Sequence, residues 1–151
     1  MPPLPHRVLR IDITGQDKAG VTHSLTDVLA RGGARVLDIG QAVIHEALAL
    51  GLLVELTDDM RSSSLLTDLL LQAHQLGVQI RFTAVTQEEY DAWVRAQGKG
   101  RYIVSVLGPA LTAAHLSAVS GIIASAGLNI DRIDRKSTRL NSSHGYISYA
   151  V

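Results

Sequence analysis

From Val8 to Thr14 the chain alternates, with Leu9, Ile11 and Ile13 on one side and Arg10, Asp12 and Thr14 on the other. That is the period of a half-buried strand. Gly15-Gln16-Asp17-Lys18-Ala19-Gly20 has turn composition. Val21, Leu25, Val28 and Leu29 then recur at helical spacing until Gly32-Gly33 stops the pattern. Alternation resumes at Val36, with Leu37, Ile39 and Val43 facing one way. It breaks at His45-Glu46 and continues through Leu48, Leu50, Leu52, Val54 and Leu56, which predicts a hairpin. After a polar stretch containing Asp58-Asp59, Leu65, Leu66, Leu69, Leu70, Ala73 and Leu76 form an apolar helical stripe ending at Gly77. Val78, Ile80, Phe82 and Ala84 alternate again and close the order β-α-β-β-α-β. The fold class is therefore α+β, in the ferredoxin-like arrangement. An antiparallel sheet carries two helices on one face, and its other face is left for pairing or solvent.

This first domain spans residues 7–86. Residues 87–100 are charged and lack a sustained period, so they read as a linker with a short helix around Tyr90 to Ala96, anchored by Trp93. The opening order then repeats. Ile103 to Leu107 predicts a strand, Gly108-Pro109-Ala110 a turn, and Leu116, Val119, Ile122, Ile123 and Ala126 a helix, before Gly127-Leu128-Asn129-Ile130 starts another strand. Residues 101–135 thus read as a partial second copy, β-α-β, in which Asn129 stands where the first copy has Arg35. From Lys136 to Val151 the composition turns polar and loses its period. This run resembles translated adapter sequence and is read as a non-native tail, although Tyr146, Ser148 and Ala150 alternate with Ile147, Tyr149 and Val151 and would allow a strand there.

Composition narrows the partners. Lys and Arg total 14, as do Asp and Glu, so the formal net charge is zero. Nothing draws in a nucleic acid or an anionic membrane. The apolar stretch Ala47 to Val54 is far short of the roughly 20 residues needed to cross a bilayer. The proline-rich start, Met1 to Arg7, does not resemble an export signal. The chain has no cysteine, which removes disulfides and thiolate chemistry and fits a reducing compartment. Cytoplasmic localisation is the expectation.

The loop Thr14-Gly15-Gln16-Asp17-Lys18-Ala19-Gly20-Val21-Thr22 carries the chemistry of most interest. A helix N-terminus offers unpaired N–H groups and positive dipole to a carboxylate, and glycine permits close approach. The alternative is that Gly20 relieves crowding where the helix packs on the sheet. The segment resembles the ACT-domain signature, a first strand ending in an Asp-x-x-Gly-Val/Leu turn. That resemblance implies amino-acid binding at Asp17, Lys18, Ala19, Gly20 and Val21. In the second copy Gly108 occupies the equivalent turn without the Asp-x-x-Gly pattern, while Asn129 matches an Asn that helps hold the ligand in some ACT domains. A site between the copies would use Gly20 with Asn129, or Gly108 with the first copy.

The stretch from Val8 to Leu56, and Gly127 to Ile133, further resembles the N-terminal region of bacterial phosphoserine phosphatases. This implies a tandem ACT region that binds serine or a related amino acid, forms a homodimer and precedes a magnesium-dependent haloacid-dehalogenase-type catalytic domain. This chain has no Asp-x-Asp-x-Thr motif, since Asp131-Arg132-Ile133-Asp134 has the wrong spacing. No catalytic activity or cofactor is expected of it. The six histidines form no i, i+4 pair, so no metal site is expected either. His23 and His115 fall early in predicted helices, where exposed or capping roles are favoured over lining a pocket. Ser24 and Ser117 lack a base partner. Two alternatives stand beside the phosphatase reading: a stand-alone ACT-pair regulator resembling glycine-cleavage repressors, and the N-terminal domain of a formyltetrahydrofolate deformylase.

Overall fold

The computed structural model describes the backbone of residues 7–56, 60–137 and 145–150, and side chains for residues 7–56 and 64–135. The chain divides into two compact units, Met1–Ala96 and Gln97–Val151. The lead-in before Arg7 and the Asp58-Asp59 turn lie outside the described residues.

The first unit begins with β1 (Arg7–Gln16), α1 (Val21–Arg31), β2 (Arg35–Ile44), β3 (Ala47–Leu56), α2 (Met60–Leu76) and β4 (Gln79–Val85). Its four strands are ordered β2-β3-β1-β4, and each adjacent pair is antiparallel. This is the ferredoxin-like arrangement that the alternation predicts. Leu9, Ile11 and Ile13 of β1 and Leu48, Leu50, Leu52, Val54 and Leu56 of β3 point toward the helices. There they meet Val21, Leu25, Val28 and Leu29 of α1 and Leu65, Leu69 and Ala73 of α2. Burying each Leu or Ile this deeply contributes about 1.5–3 kcal/mol, which makes this layer the main stabilising feature of the unit. The two helices approach closely at Gly32, where an added Cβ would lie 2.6 Å from a Leu65 methyl.

β2 differs from its expected form. A bulge between Val36 and Asp38 shifts the register, so Val36, Ile39 and Val43 pair with Val54, Leu52 and Leu48 on the helix-facing side, and Leu37 is the extra residue. Leu37 does not share a continuous stripe with Ile39 and Val43. Those side chains remain substantially exposed, 49% for Ile39, because the edge strand lies beyond the cover of α1 and α2. The hairpin closes through His45 and Glu46 with φ of 46° and 67°. Both angles are left-handed, as a two-residue turn of this hand requires.

The segment expected as a linker holds α3 over Gln87–Ala96. Thr86 caps it: the Thr86 Oγ1 accepts from the Glu89 N–H at 3.2 Å, and the Glu89 carboxylate accepts from the Thr86 N–H at 3.0 Å. The helix therefore starts earlier than the aromatic residues alone suggest. The rings of Tyr90 and Trp93 lie tilted against each other at 35°, with centroids 5.9 Å apart.

The second unit contains β5 (Ile103–Gly108), α4 (Ala113–Ser125), β6 (Arg132–Ser137) and β7 (Gly145–Ala150). Its sheet is ordered β5-β7-β6, with β7 antiparallel to both neighbours. This repeats the relation of β1, β3 and β2 in the first unit. The strand expected from Gly127 begins instead at Arg132, because residues 128–131 stay irregular after α4 turns at Gly127. The central strand β7 comes from the alternating tail. Ile123 is buried among Val104, Val106, Leu116, Val119 and Ile130.

Candidate functional site

The β1–α1 loop is held at both ends. Gly15, on the helix-facing side of β1, packs so tightly that an added Cβ would stand 2.9 Å from the Val78 Cγ1 and 3.2 Å from its Cα. The Asp17 N–H donates to the Glu46 carbonyl at 2.7 Å, which ties the loop to the hairpin turn. Lys18 sends its ammonium toward Gly77, 3.8 Å from where a Cβ there would sit, at the C-terminal end of α2. A cation is favourable at that end of a helix.

Gly20 is the N-cap of α1 and has φ 87°, ψ −1° with no side-chain hydrogen bond capping the helix. The first helical bond runs from the Ser24 N–H to the Gly20 carbonyl at 2.9 Å. No atom lies within 4 Å of the position a Gly20 Cβ would take. Crowding therefore does not explain this glycine; the left-handed backbone does. The crowded glycine is Gly15, five residues earlier, whose partner Val78 is distant in sequence. The result at Gly20 is a helix N-terminus open to solvent, with Asp17, Lys18, Ala19 and Gly20 exposed and Val21 buried beneath them at 1% exposure. An anion can approach its N–H groups directly.

An open cleft of about 680 Å³ is lined by the end of β1, at Thr14, Gly15 and Gln16, and by the hairpin tip at His45 and Glu46. Ala42, Ala47 and Ala49 form much of its surface, so its walls are low and apolar. Sequence periodicity does not reveal the cleft, because it depends on how β1 ends beside the hairpin turn.

Asp17 to Val21 are contiguous in the first unit. Gly108 and Asn129 belong to the second, Gly108 at the end of β5 and Asn129 in the irregular segment after α4. His115 has a structural role: its N–H donates to the Thr112 Oγ1 and its Nδ1 accepts from the Thr112 N–H, both at 3.3 Å, capping α4. Among the described residues no helix is long and apolar enough to cross a membrane.

The strand order β2-β3-β1-β4 and the two helices on one face define a ferredoxin-like α+β domain. Residues 7–83 match the ACT domain family, and this chain belongs to it. It is 35% identical over 124 residues to "Phosphoserine phosphatase SerB2" of Mycobacterium tuberculosis, a match covering 82% of this chain and 29% of that protein. It is also 35% identical over 130 residues to the phosphoserine phosphatase of Streptomyces coelicolor, covering 84% of this chain and 30% of that one. The chain thus spans under a third of the length of these relatives. The crystal structure of a putative glycine cleavage system transcriptional repressor superposes with a TM-score of 0.66 at 14% identity, covering 97% of this chain and 80% of that one.

Proposed function

We propose that this chain is the amino-acid-sensing region of a phosphoserine phosphatase in serine biosynthesis, and that it binds serine at the β1–α1 loop. The observation that carries the reading is the uncapped α1 N-terminus at Gly20, open in front and held behind by the Gly15–Val78 packing and the Asp17 backbone bond. A serine carboxylate would accept from the N–H groups that the first turn of α1 leaves unpaired beyond Val21, whose own N–H donates to the Lys18 carbonyl at 3.5 Å. The identity to two phosphoserine phosphatases supports the choice of parent enzyme. The hydrolysis itself, with its magnesium, would belong to the catalytic domain of such a parent and not to this chain.

The second unit is read as a second ACT copy, interrupted near Arg135. Its order β5-β7-β6 repeats that of the first three strands of unit one, which supports this reading. Lys136 to Val151 is read as non-native sequence whose alternation lets it fill the third strand position. Gly108 and Asn129 are the residues of this copy proposed to contact ligand. Dimerisation is proposed through the first domain, where β2 offers a ten-residue strand with one unpaired edge and exposed Val36, Ile39 and Val43. Serine would bias an attached enzyme by binding its two states with different affinity.

The decisive genetic observation is the genomic reading frame beyond codon 135. A downstream Asp-x-Asp-x-Thr supports the phosphatase, and an early stop codon favours a stand-alone regulator of the glycine-cleavage repressor kind, whose fold this chain shares. Amide NMR titration with L-serine tests the site. Shifts concentrated at Asp17 to Val21 support the loop, and shifts elsewhere exclude it.

A further inference from the structure

The face of the first sheet turned away from α1 and α2 contains a second, separate slot of about 310 Å³, closed on one side by Trp93 of α3. Its floor is unusual. Gly40 of β2 and Gly51 of β3 sit directly opposite each other. Neither has a positive φ, nothing lies within 4 Å of a Cβ built on Gly40, and only the Asp12 carboxylate, at 4.0 Å, approaches one on Gly51. Glycine weakens a strand interior, so two in one cross-strand pair, with neither backbone conformation nor crowding to require them, leave a bare shelf open to an occupant. The flat backbone opposite an indole suits a planar group.

The next row of the sheet supplies the ends of the slot. Arg10, Leu53 and Asp38 lie side by side on three adjacent strands, which places the two charged residues about 10 Å apart, with the apolar Leu53 between them. Arg10 uses its Nε to bind Asp12 at 3.0 Å, which leaves its terminal nitrogens as donors. Asp38 accepts from the Ile39 N–H at 2.9 Å and has no ion-pair partner among the described residues. Arg10 and Asp38 thus stand at the ends of an aromatic-walled slot, and the second carboxylate that lines it, Asp12, is already engaged by the Arg10 Nε.

We infer that this slot is a second small-molecule site, which takes a zwitterion with a flat apolar side chain, the chemistry of an aromatic amino acid. The ligand carboxylate meets Arg10, its ammonium meets Asp38, and its ring lies over the Gly40–Gly51 shelf against Trp93. The slot's volume suits a single ring with its head group. The site is independent of the serine reading of the β1–α1 loop.

Trp93 is the chain's single tryptophan, so its emission reports on the slot directly. Titration of the full chain with L-phenylalanine is expected to change that emission saturably. Phenylacetate and phenethylamine, each lacking one charge, bind about tenfold more weakly or worse, the equivalent of one lost charge-assisted contact. Gly40→Val places a β-branched residue where space is open on an edge strand, so it keeps its circular dichroism and loses the response. Asp38→Asn removes the preference for phenylalanine over phenylacetate, and Gly20→Asp leaves the phenylalanine response intact. No saturable change with phenylalanine, an unaltered response in folded Gly40→Val, or an equal response to L-serine overturns the inference. Loss of the response in Gly20→Asp overturns the separateness of the two sites.

Discussion

Gly15→Ala tests how the binding loop is anchored. The new methyl would stand 2.9 Å from the Val78 Cγ1, 3.2 Å from its Cβ and 3.2 Å from its Cα. Rotation of Val78 can move the first of these atoms and not the other two. Val78 is 8% exposed and precedes β4, so relief requires moving the start of β4 or the end of β1. Overpacking of this kind costs about 1–3 kcal/mol, offset by about 0.4–1 kcal/mol from the narrower unfolded ensemble of alanine. The net expectation is a loss of about 1–2 kcal/mol. For a domain of this size that lowers Tm by roughly 5–15 °C. Urea unfolding followed by Trp93 fluorescence and circular dichroism measures the loss. Val78→Ala alone should cost about 2 kcal/mol from buried methyls. In the double variant the losses should be close to additive, because alanine at 78 keeps the Cβ and Cα that the new methyl meets at 3.2 Å. A Gly15→Ala protein as stable as the parent refutes the packing argument.

Three further changes separate backbone strain from packing. Gly20→Ala meets no atom but forces alanine to φ 87°, so thermal unfolding should show a loss of about 1 kcal/mol without any partner residue that rescues it. His45→Asn combined with Glu46→Gly relieves two left-handed non-glycine residues and should raise stability by about 1–2 kcal/mol in urea titration, while keeping the backbone bond to the Asp17 N–H. Thr86→Ala removes half of the capping pair with Glu89. It should destabilise α3 by about 1 kcal/mol, read as faster amide exchange over residues 87–96 and a red-shifted Trp93 emission.

The helix-facing side of β1 and β3 was legible because one covered face gives an uninterrupted period of two. Leu9, Ile11 and Ile13, and Leu48, Leu50, Leu52, Val54 and Leu56, are all buried. β2 shows the limit of that signal. Alternation reveals a face but not whether a helix covers it, and the bulge at Leu37 shifts the phase partway along the strand. The start of α3 was available in the local spelling Thr86-x-x-Glu89, which periodicity overlooks because the helix is too polar to show a stripe. The end of the irregular segment at Arg132 had no such marker. For the site, the Asp17–Gly20 loop was readable from composition and turn chemistry, but the reason for Gly20 was not. Its open surroundings and the close approach at Gly15 depend on contacts with distant residues. The facing pair Gly40 and Gly51 depends on strand register, which no short stretch of sequence encodes.

The central claim is that the open N-terminus of α1 binds an amino acid. Calorimetric titration of the full chain with L-serine, in parallel with Gly20→Asp, tests it most directly. The introduced carboxylate would occupy the position proposed for the ligand's own and carries a side chain at φ 87°. The account predicts saturable heat in the parent chain and none in the folded variant. Absence of heat in the parent, or equal heat in the variant, would contradict it.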